Sequence, residues 1–109
     1  MIKVKTDELD WVKMDGILPV VAQSAETGEV LTLAYVNREA LEKTLATGFA
    51  HYYRRSRRQT MMKGVTSGNT QRIHSILTDC DNDSLLYLVT QRGPACHLGE
   101  ATCFHKTLT

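Results

Sequence analysis

The chain has 109 residues, a formal net charge of +1 and 42% hydrophobic residues. This length suffices for a modest hydrophobic core, and we expect a single domain over residues 1–109. No stretch approaches the roughly 20 apolar residues of a membrane span, and the N-terminus lacks the apolar core of a signal peptide. The near-neutral charge argues against a general nucleic-acid binder. We therefore expect a cytoplasmic protein that binds neither a membrane nor a nucleic acid.

The first half of the chain predicts a β-hairpin. We expect residues 1–12 to be a loosely structured N-terminal segment. The apolar run Ile17–Ala22 is typical of a strand, in which Pro19 suits either an edge strand or the start of a strand. Ala25–Gly28 has the composition of a turn, and Val30–Val36 is the returning strand.

A helix over about 37–47 follows the hairpin. Asn37 is a good N-cap residue, and Gly48 is a plausible C-terminal stop. The apolar residues at helical spacing, which we expect to pack on the sheet, are Ala40, Leu41 and Leu45.

The second half predicts strands at Phe49–Tyr53, Gln71–Thr78 and Leu85–Gln91. Between the first two lies a basic segment that starts at Arg54 and is rich in guanidinium groups, hydroxyls and glycines. These groups are the components of a phosphate site, although a solvated basic loop has the same composition. Tyr52 and its neighbour could also stack on nucleic-acid bases, but the low net charge disfavours that interpretation.

An acidic stretch, Asp79-Cys80-Asp81-Asn82-Asp83, separates the last two strands. If the strand continues through it, the three aspartates share one face and Cys80 points to the other. Like charges this close repel unless a cation lies among them, and carboxylates are preferred ligands of hard cations such as magnesium. The alternative is a solvated turn without a metal. An EF-hand is excluded, because the sixth and twelfth positions are Ser84 and Thr90.

The chain has three cysteines, Cys80, Cys96 and Cys103. No two of them form a CxxC pair, and an odd number cannot all pair in disulfides within one chain. A zinc-finger spacing and a disulfide framework are therefore poor explanations. Three thiolates leave one zinc position open, as in catalytic sites, and His97 is then suited to acid–base chemistry. The alternative is three small buried apolar residues. Strand alternation turns Cys80 away from its own aspartates, which suggests a zinc site shared between two chains.

The motifs also form a recognisable set. They are Leu33-Ala34-Tyr35, Asn37-Arg38-Glu39-Ala40-Leu41, His51-Tyr52-Tyr53, Arg55-Ser56-Arg57, Lys63-Gly64, Thr66-Ser67-Gly68-Asn69, Asp79-Cys80-Asp81-Asn82-Asp83, Gly93-Pro94-Ala95-Cys96-His97 and Cys103-Phe104. In this order and over nearly the whole chain, the sequence resembles the phosphoribosyl-AMP cyclohydrolase family of histidine biosynthesis.

The resemblance implies a hydrolase that opens the adenine ring of 1-(5-phosphoribosyl)-AMP between ring nitrogen one and carbon six, giving the ProFAR aminoimidazole carboxamide intermediate. It implies a compact, β-rich, barrel-like α+β fold with one main helix, assembled as an intertwined homodimer. Zinc and magnesium would be the cofactors, and the first cysteine of each zinc site would come from the partner chain. The implied zinc ligands are Cys80, Cys96 and Cys103, and the implied magnesium ligands are Asp79, Asp81 and Asp83.

His97 is the candidate for moving the proton. The candidate substrate-binding residues are Arg55, Ser56, Arg57, Lys63, Thr66, Ser67, Gly68 and Asn69. The rival interpretation is a non-catalytic, zinc-stabilised module that binds nucleotides or RNA. Such a module would close its zinc with a fourth protein ligand.

The chain departs from the family pattern at three places. Met61 and Met62 occupy the stretch where relatives usually have a tryptophan before Lys-Gly. Arg54 replaces a frequent serine, and Val65 replaces a frequent acidic residue. If the tryptophan stacks on a base, Met61 offers a softer apolar contact, so substrate affinity is the property affected. Many relatives also carry a pyrophosphohydrolase domain, for which we expect no room in this chain.

Overall fold

The computed structural model describes residues 1–109. It contains a short 3-10 helix (Thr6–Glu8), one α-helix and six strands. The strands and the helix are β1 (Leu18–Ser24), β2 (Val30–Val36), α1 (Arg38–Thr47), β3 (His51–Arg54), β4 (Gln59–Met62), β5 (Gln71–Thr78) and β6 (Leu85–Gln91). No helix here combines the length and the apolarity that a membrane span requires.

The strands form two sheets. The larger sheet has the order β2-β1-β6-β5, in which β1 and β6 are parallel and the other neighbours are antiparallel. The smaller sheet is the β3–β4 hairpin. The expected β-rich α+β fold with one main helix is confirmed, but the barrel-like closure is wrong. The larger sheet stays open because β2 and β5 lie at its opposite edges and do not pair.

The core is built on the two central strands. In both β1 and β6, buried residues alternate with partly exposed ones, as the two-residue period of a strand requires. The fully or nearly fully buried residues of these strands are Leu18, Val20, Ala22, Leu85, Tyr87 and Val89. They pack with Ala40 and Leu41 of α1 and with Tyr52 of β3 in one apolar cluster.

Pro19 lies in a central strand although proline cannot donate to a β-ladder. It pairs with Tyr35 of β2, and the parallel pairing of β1 with β6 begins one residue later, at Val20. Pro19 is therefore at the start of β1 and beyond the end of the neighbouring strand, which is where a proline is tolerated.

The helix begins and ends as predicted. The Asn37 side chain accepts a hydrogen bond from the Ala40 backbone N–H at 2.8 Å, and Gly48 takes a left-handed conformation with φ of +79°. The prediction that Leu45 packs on the sheet is wrong, because this residue is 57% exposed. Thr44 is buried instead, one helical turn after Ala40, and its hydroxyl donates to the Ala40 carbonyl.

Two further predictions need correction. The N-terminal segment is not a loose lead-in, because Leu9 is buried in the core and the Trp11 indole N–H donates to the Thr6 carbonyl. Strand β4 was not predicted, since Gln59–Met62 has a single β-branched residue, Thr60, and lacks the alternation that indicates a strand. Its pairing with β3 supplies the structure that its own sequence does not.

Candidate functional site

A cavity of about 950 Å³ lies beside the β3–β4 hairpin and the outer strand β2. It contains the predicted site residues Arg55, Ser56, Lys63, Thr66, Ser67 and His97. The other three predicted substrate residues, Arg57, Gly68 and Asn69, do not line it. The cavity therefore joins segments that are far apart in the chain: the basic turn after β3, the turn after β4, and the loop that carries His97.

Arg55 supplies a free positive charge at this cavity. Its guanidinium lies 3.9 Å from the centre of the Tyr35 ring, which also lines the cavity. A guanidinium stacked on an aromatic face keeps its N–H groups available at the edge, where they can bind a phosphate. No salt bridge of the structure includes Arg55. The charge is thus positioned by the ring and is not neutralised by a carboxylate.

The apolar part of the wall comes from β4. Met61 and Met62 both line the cavity and are partly buried, together with Tyr52 and Tyr53 of the paired strand. Methionine is a flexible apolar side chain that adapts to flat surfaces. The segment in which the family pattern has a tryptophan therefore lines the cavity. In this chain its methionines offer an apolar surface that can contact a base.

Lys63 has a partner within the chain. Its ammonium donates to the Ala95 carbonyl at 2.8 Å, although the residue also lines the cavity. Lys63 is followed by a tight turn, in which the Gly68 N–H donates to the Gly64 carbonyl at 2.8 Å. This turn exposes the hydroxyls of Thr66 and Ser67 at the mouth of the cavity.

The loop after β6 separates two neighbouring side chains. Cys96 is buried, whereas His97 is exposed and lines the cavity. The Cys96 N–H donates to the Glu100 carbonyl at 3.1 Å, which closes the loop. A cysteine and a histidine adjacent in sequence thus occupy different environments, and His97 is the one that can reach a molecule in the cavity.

Cys103 and His105 complete this region. The Cys103 N–H donates to the Leu31 carbonyl of β2 at 2.7 Å, so Cys103 lies next to the strand that forms one cavity wall. His105 was not predicted, yet its Nε2 lies 3.7 Å from the Cys96 sulfur. The signal available in the sequence was the position of His105 two residues after a candidate metal ligand. His105 therefore contacts one of the candidate zinc ligands.

Cys80 lies elsewhere. It is exposed in the turn between β5 and β6, whereas Cys96 follows the other end of β6. β6 has seven residues, and such a strand is about 23 Å long. The three cysteine sulfurs do not come within 4.8 Å of one another in one chain. A single chain therefore does not assemble the predicted zinc site.

The acidic stretch is a turn, because β5 ends at Thr78. The prediction that strand alternation separates Cys80 from the aspartates is therefore wrong. The carboxylates nevertheless converge, with one oxygen each of Asp79, Asp81 and Asp83 within 4.8 Å of the others. Asp79 accepts hydrogen bonds from the backbone N–H of Asp83 at 3.0 Å and from the Ser84 hydroxyl at 2.6 Å. These bonds, the Ser84 hydroxyl above all, lower the pKa of Asp79.

A lysine lies among these carboxylates. The Lys13 ammonium is 2.7 Å from an Asp83 oxygen and 3.2 Å from an Asp81 oxygen. Both contacts raise the pKa of Lys13, those with Asp83 most. Lys13 acts to lower the pKa of Asp83, but the neighbouring Asp79 and Asp81 together outweigh it and raise that pKa. The cluster thus attracts cations, and a side chain already supplies one positive charge.

A buried hydrogen-bonded chain runs from the cavity wall. The Tyr52 hydroxyl donates to Gln71 Oε1 at 2.5 Å, and Gln71 Nε2 donates to Gln91 Oε1 at 2.8 Å. Burial raises the pKa of Tyr52 well above its ordinary value, with smaller contributions from Tyr87 and Cys103. Tyr52 therefore stays protonated and donates at neutral pH.

Known proteins are similar to this chain in sequence. The family model described as phosphoribosyl-AMP cyclohydrolase matches residues 32–105. A protein of Cenarchaeum symbiosum named phosphoribosyl-AMP cyclohydrolase is 55% identical over 95% of this chain and 96% of its own length. A protein of the same name from Nitrosopumilus maritimus is 54% identical over 94% of each chain.

A third relative is longer. The histidine biosynthesis bifunctional protein HisIE of Pyrococcus furiosus is 55% identical over 94% of this chain, which spans only 48% of that protein. The match to the family model covers more than half of the chain and includes the cavity residues, the acidic turn and the loop of Cys96. The chain belongs to the phosphoribosyl-AMP cyclohydrolase family.

Proposed function

We propose that this chain catalyses the hydrolytic opening of the adenine ring of 1-(5-phosphoribosyl)-AMP in histidine biosynthesis, to the ProFAR aminoimidazole carboxamide intermediate. The observation that carries the proposal is the cavity in which His97 lies with Arg55, Ser56, Thr66 and Ser67. It offers a titratable group, a free cation and hydroxyl donors, which are the groups that a phosphorylated nucleotide needs for binding and reaction.

The side of the cavity that carries Arg55 binds the phosphate. Arg55 binds a phosphate oxygen through guanidinium N–H groups while Tyr35 holds its plane. The hydroxyl groups of Ser56, Thr66 and Ser67 donate hydrogen bonds to the remaining phosphate or ribose oxygens. The methionines of β4 cover one face of the base and leave the other face open to the attacking water. Arg57 and Gly68 lie outside this cavity and can contact only a part of the substrate that extends beyond it.

The residues fit both implied metals by donor chemistry. Cys80, Cys96 and Cys103 would hold zinc as thiolates, and Asp79, Asp81 and Asp83 would hold magnesium through oxygens. When bound, zinc supplies a Lewis acid that lowers the pKa of water, and magnesium supplies charge that neutralises phosphate.

His97 has the proton-transfer role. Its imidazole takes a proton from the attacking water as the oxygen bonds to carbon six, and delivers a proton to ring nitrogen one as the bond between these atoms breaks. An imidazole suits both steps because its ordinary pKa lies near neutral pH. The position of His97 at the cavity and beside Cys96 in sequence supports this assignment.

We further propose that the active form is a homodimer in which two chains share each zinc site. The separation of Cys80 from Cys96 along β6 supports this, because a second chain can bring the missing thiol. The acidic turn does not line the cavity of its own chain, and the same dimer would bring the partner's turn to that cavity.

The first test measures turnover of 1-(5-phosphoribosyl)-AMP by the ultraviolet change that follows ring opening. Metal-stripped protein is assayed alone, then with zinc, with magnesium and with both. We expect activity only with both ions. Replacing His97 by Asn should reduce kcat by about a hundredfold or more while zinc content stays constant. An inactive, folded, zinc-loaded dimer would favour the non-catalytic nucleotide-binding module instead.

The second test asks whether the zinc site is shared. Cys80→Ser and Cys96→Ser proteins are unfolded together and refolded as a mixture. Shared sites would restore about a quarter of the wild-type zinc occupancy, because half of the dimers are mixed and each has one intact site. Cys96→Ser mixed with Cys103→Ser is the control and restores nothing. No recovery in the first mixture, with mixed dimers detected by mass spectrometry, contradicts the shared site.

A further inference from the structure

The turn after β4 is joined to the loop that carries Cys96. We define the Lys63 turn as residues 63–70 and the Cys96 loop as residues 93–101. The Lys63 ammonium donates to the Ala95 carbonyl at 2.8 Å. No backbone N–H of the chain donates to that carbonyl, and Ala95 is only 1% exposed. The lysine is thus the sole protein donor to a buried acceptor in the loop, immediately before Cys96.

A second connection lies at the start of the Cys96 loop. Gly93 has φ of +69°, and a Cβ atom there would be 2.5 Å from Asn69 Oδ1. The Asn69 side chain therefore packs directly against the Gly93 backbone. Gln91 Nε2 donates to the Asn69 carbonyl at 3.2 Å, and the Arg92 N–H donates to the Thr70 carbonyl at 2.9 Å. The two hydrogen bonds hold the Lys63 turn against the end of β6, and the Asn69–Gly93 contact extends this connection into the first residue of the Cys96 loop.

Hydrogen bonds connect the end of β6 to the cavity wall. Gln91 accepts from Gln71, which in turn accepts from the Tyr52 hydroxyl at the cavity. Gln71 is fully buried, so its side-chain amide finds its hydrogen-bond partners among these neighbouring side chains and not in water. The residues that the Lys63 turn contacts at the end of β6 are thus hydrogen-bonded to the cavity wall.

We propose that Lys63 and Asn69 are positioning residues, which hold the Cys96 loop, and with it His97, against the cavity wall. This differs from a direct phosphate-binding role for Lys63, because its ammonium is already bonded to a carbonyl. Asn69 does not line the cavity. The part of the inference that concerns metal affinity rests on the proposed function, whereas the part that concerns loop order does not.

The test compares Lys63→Met with Lys43→Met, a matched change at an exposed lysine of α1. Hydrogen exchange of the metal-free proteins reports on the Ala95 and Cys96 amides, which bond to Ala101 and Glu100. We expect these amides to exchange roughly tenfold faster in Lys63→Met and unchanged in Lys43→Met. Unchanged exchange in Lys63→Met overturns the positioning role.

Zinc affinity and kinetics then separate positioning from substrate binding. Loss of a contact that orients a metal ligand typically costs about 10–100-fold in metal affinity or activity. We expect Lys63→Met to weaken zinc binding by about tenfold and to lower kcat, with KM changed by less than about twofold. A raised KM with normal zinc affinity and normal loop exchange would make Lys63 a substrate ligand and overturn the proposal.

A second variant tests the same connection from the other side. Asn69→Ala removes the contact with Gly93 without touching the cavity, and it should also speed exchange of the loop amides and weaken zinc binding. If Lys63→Met does not fold, this variant decides the question. If the wild-type protein neither binds zinc nor turns over the nucleotide, the proposed function fails, while loop exchange still decides the positioning role.

Discussion

Replacement of Tyr87 by phenylalanine should stabilise the protein. Tyr87 is fully buried, its ring stacks on Tyr52 with 5.8 Å between centroids, and its hydroxyl has no hydrogen-bond partner. The nearby Thr44 hydroxyl donates to the Ala40 carbonyl and accepts from the His51 N–H. Its proximity partly offsets the rise of the Tyr87 pKa, but no hydrogen bond of acceptable geometry joins the two hydroxyls. Because an unpaired buried hydroxyl costs about 1–3 kcal/mol, its removal should raise the free energy of unfolding by about 1–2 kcal/mol.

The gain should grow at alkaline pH. Burial raises the pKa of Tyr87 to about 12 from 10.0. Between these values the unfolded chain loses the Tyr87 proton while the folded chain keeps it, so the wild-type protein loses stability as pH rises from 10 to 12. Each pKa unit corresponds to about 1.4 kcal/mol, so the loss is about 1.4 kcal/mol near pH 11 and about 3 kcal/mol above pH 12, and the phenylalanine variant is free of it.

Urea unfolding followed by circular dichroism at pH 8 and near pH 11 measures both effects, at equal protein concentration and without metal. Tyr52→Phe is the control, because it removes a hydroxyl that donates to Gln71 and should destabilise. If Tyr87→Phe lowers the free energy of unfolding at pH 8 by more than about 1 kcal/mol, the hydroxyl has a hydrogen-bond partner and the reasoning is refuted.

Three further predictions concern the acidic turn and the Cys96 loop. Lys13→Met removes the ammonium that lies between two aspartates, so manganese affinity measured by electron paramagnetic resonance should rise roughly threefold; a fall would show that the lysine supports the site. Ser84→Ala removes a hydroxyl donor, so the pKa of Asp79 measured by carbon-detected nuclear magnetic resonance should rise toward its ordinary value, and no change would contradict that hydrogen bond. Gly93→Ala should lower the free energy of unfolding by about 1–3 kcal/mol more than Gly99→Ala. Both positions have positive φ, but only at Gly93 would a Cβ atom clash with the Asn69 side chain. Equal thermal denaturation of the two variants would contradict that packing.

The helix shows what local sequence can determine. Asn37 and Gly48 determine its ends through their own side-chain and backbone chemistry, and the structure agrees at both positions. Val30–Val36 is likewise a strand over the predicted residues, because its composition suits a pleated surface. The candidate cavity residues also follow from residue type, since guanidinium, hydroxyl and imidazole groups define the chemistry wherever the chain places them.

Other features depended on contacts that a local pattern does not contain. Leu45 and Thr44 are neighbours on the helix, and only the position of β3, whose His51 N–H bonds to Thr44, decides which one is buried. β4 exists because β3 pairs with it. The acidic stretch differs from these, because its turn was one of the two alternatives that the sequence allowed and is held by local bonds from Asp83 and Ser84 to the Asp79 carboxylate.

The sequence by itself determined the family, the helix, most strands and the types of group available for chemistry. The tertiary structure alone decided that Cys80 lies at one end of β6 and Cys96 beyond the other, that His105 approaches Cys96, and that Lys63 bonds to the loop before Cys96. The physical reason is range. Caps, turns and strand propensities act over a few residues, whereas each of these relations depends on how strands pair and on which ends of the sheet they share.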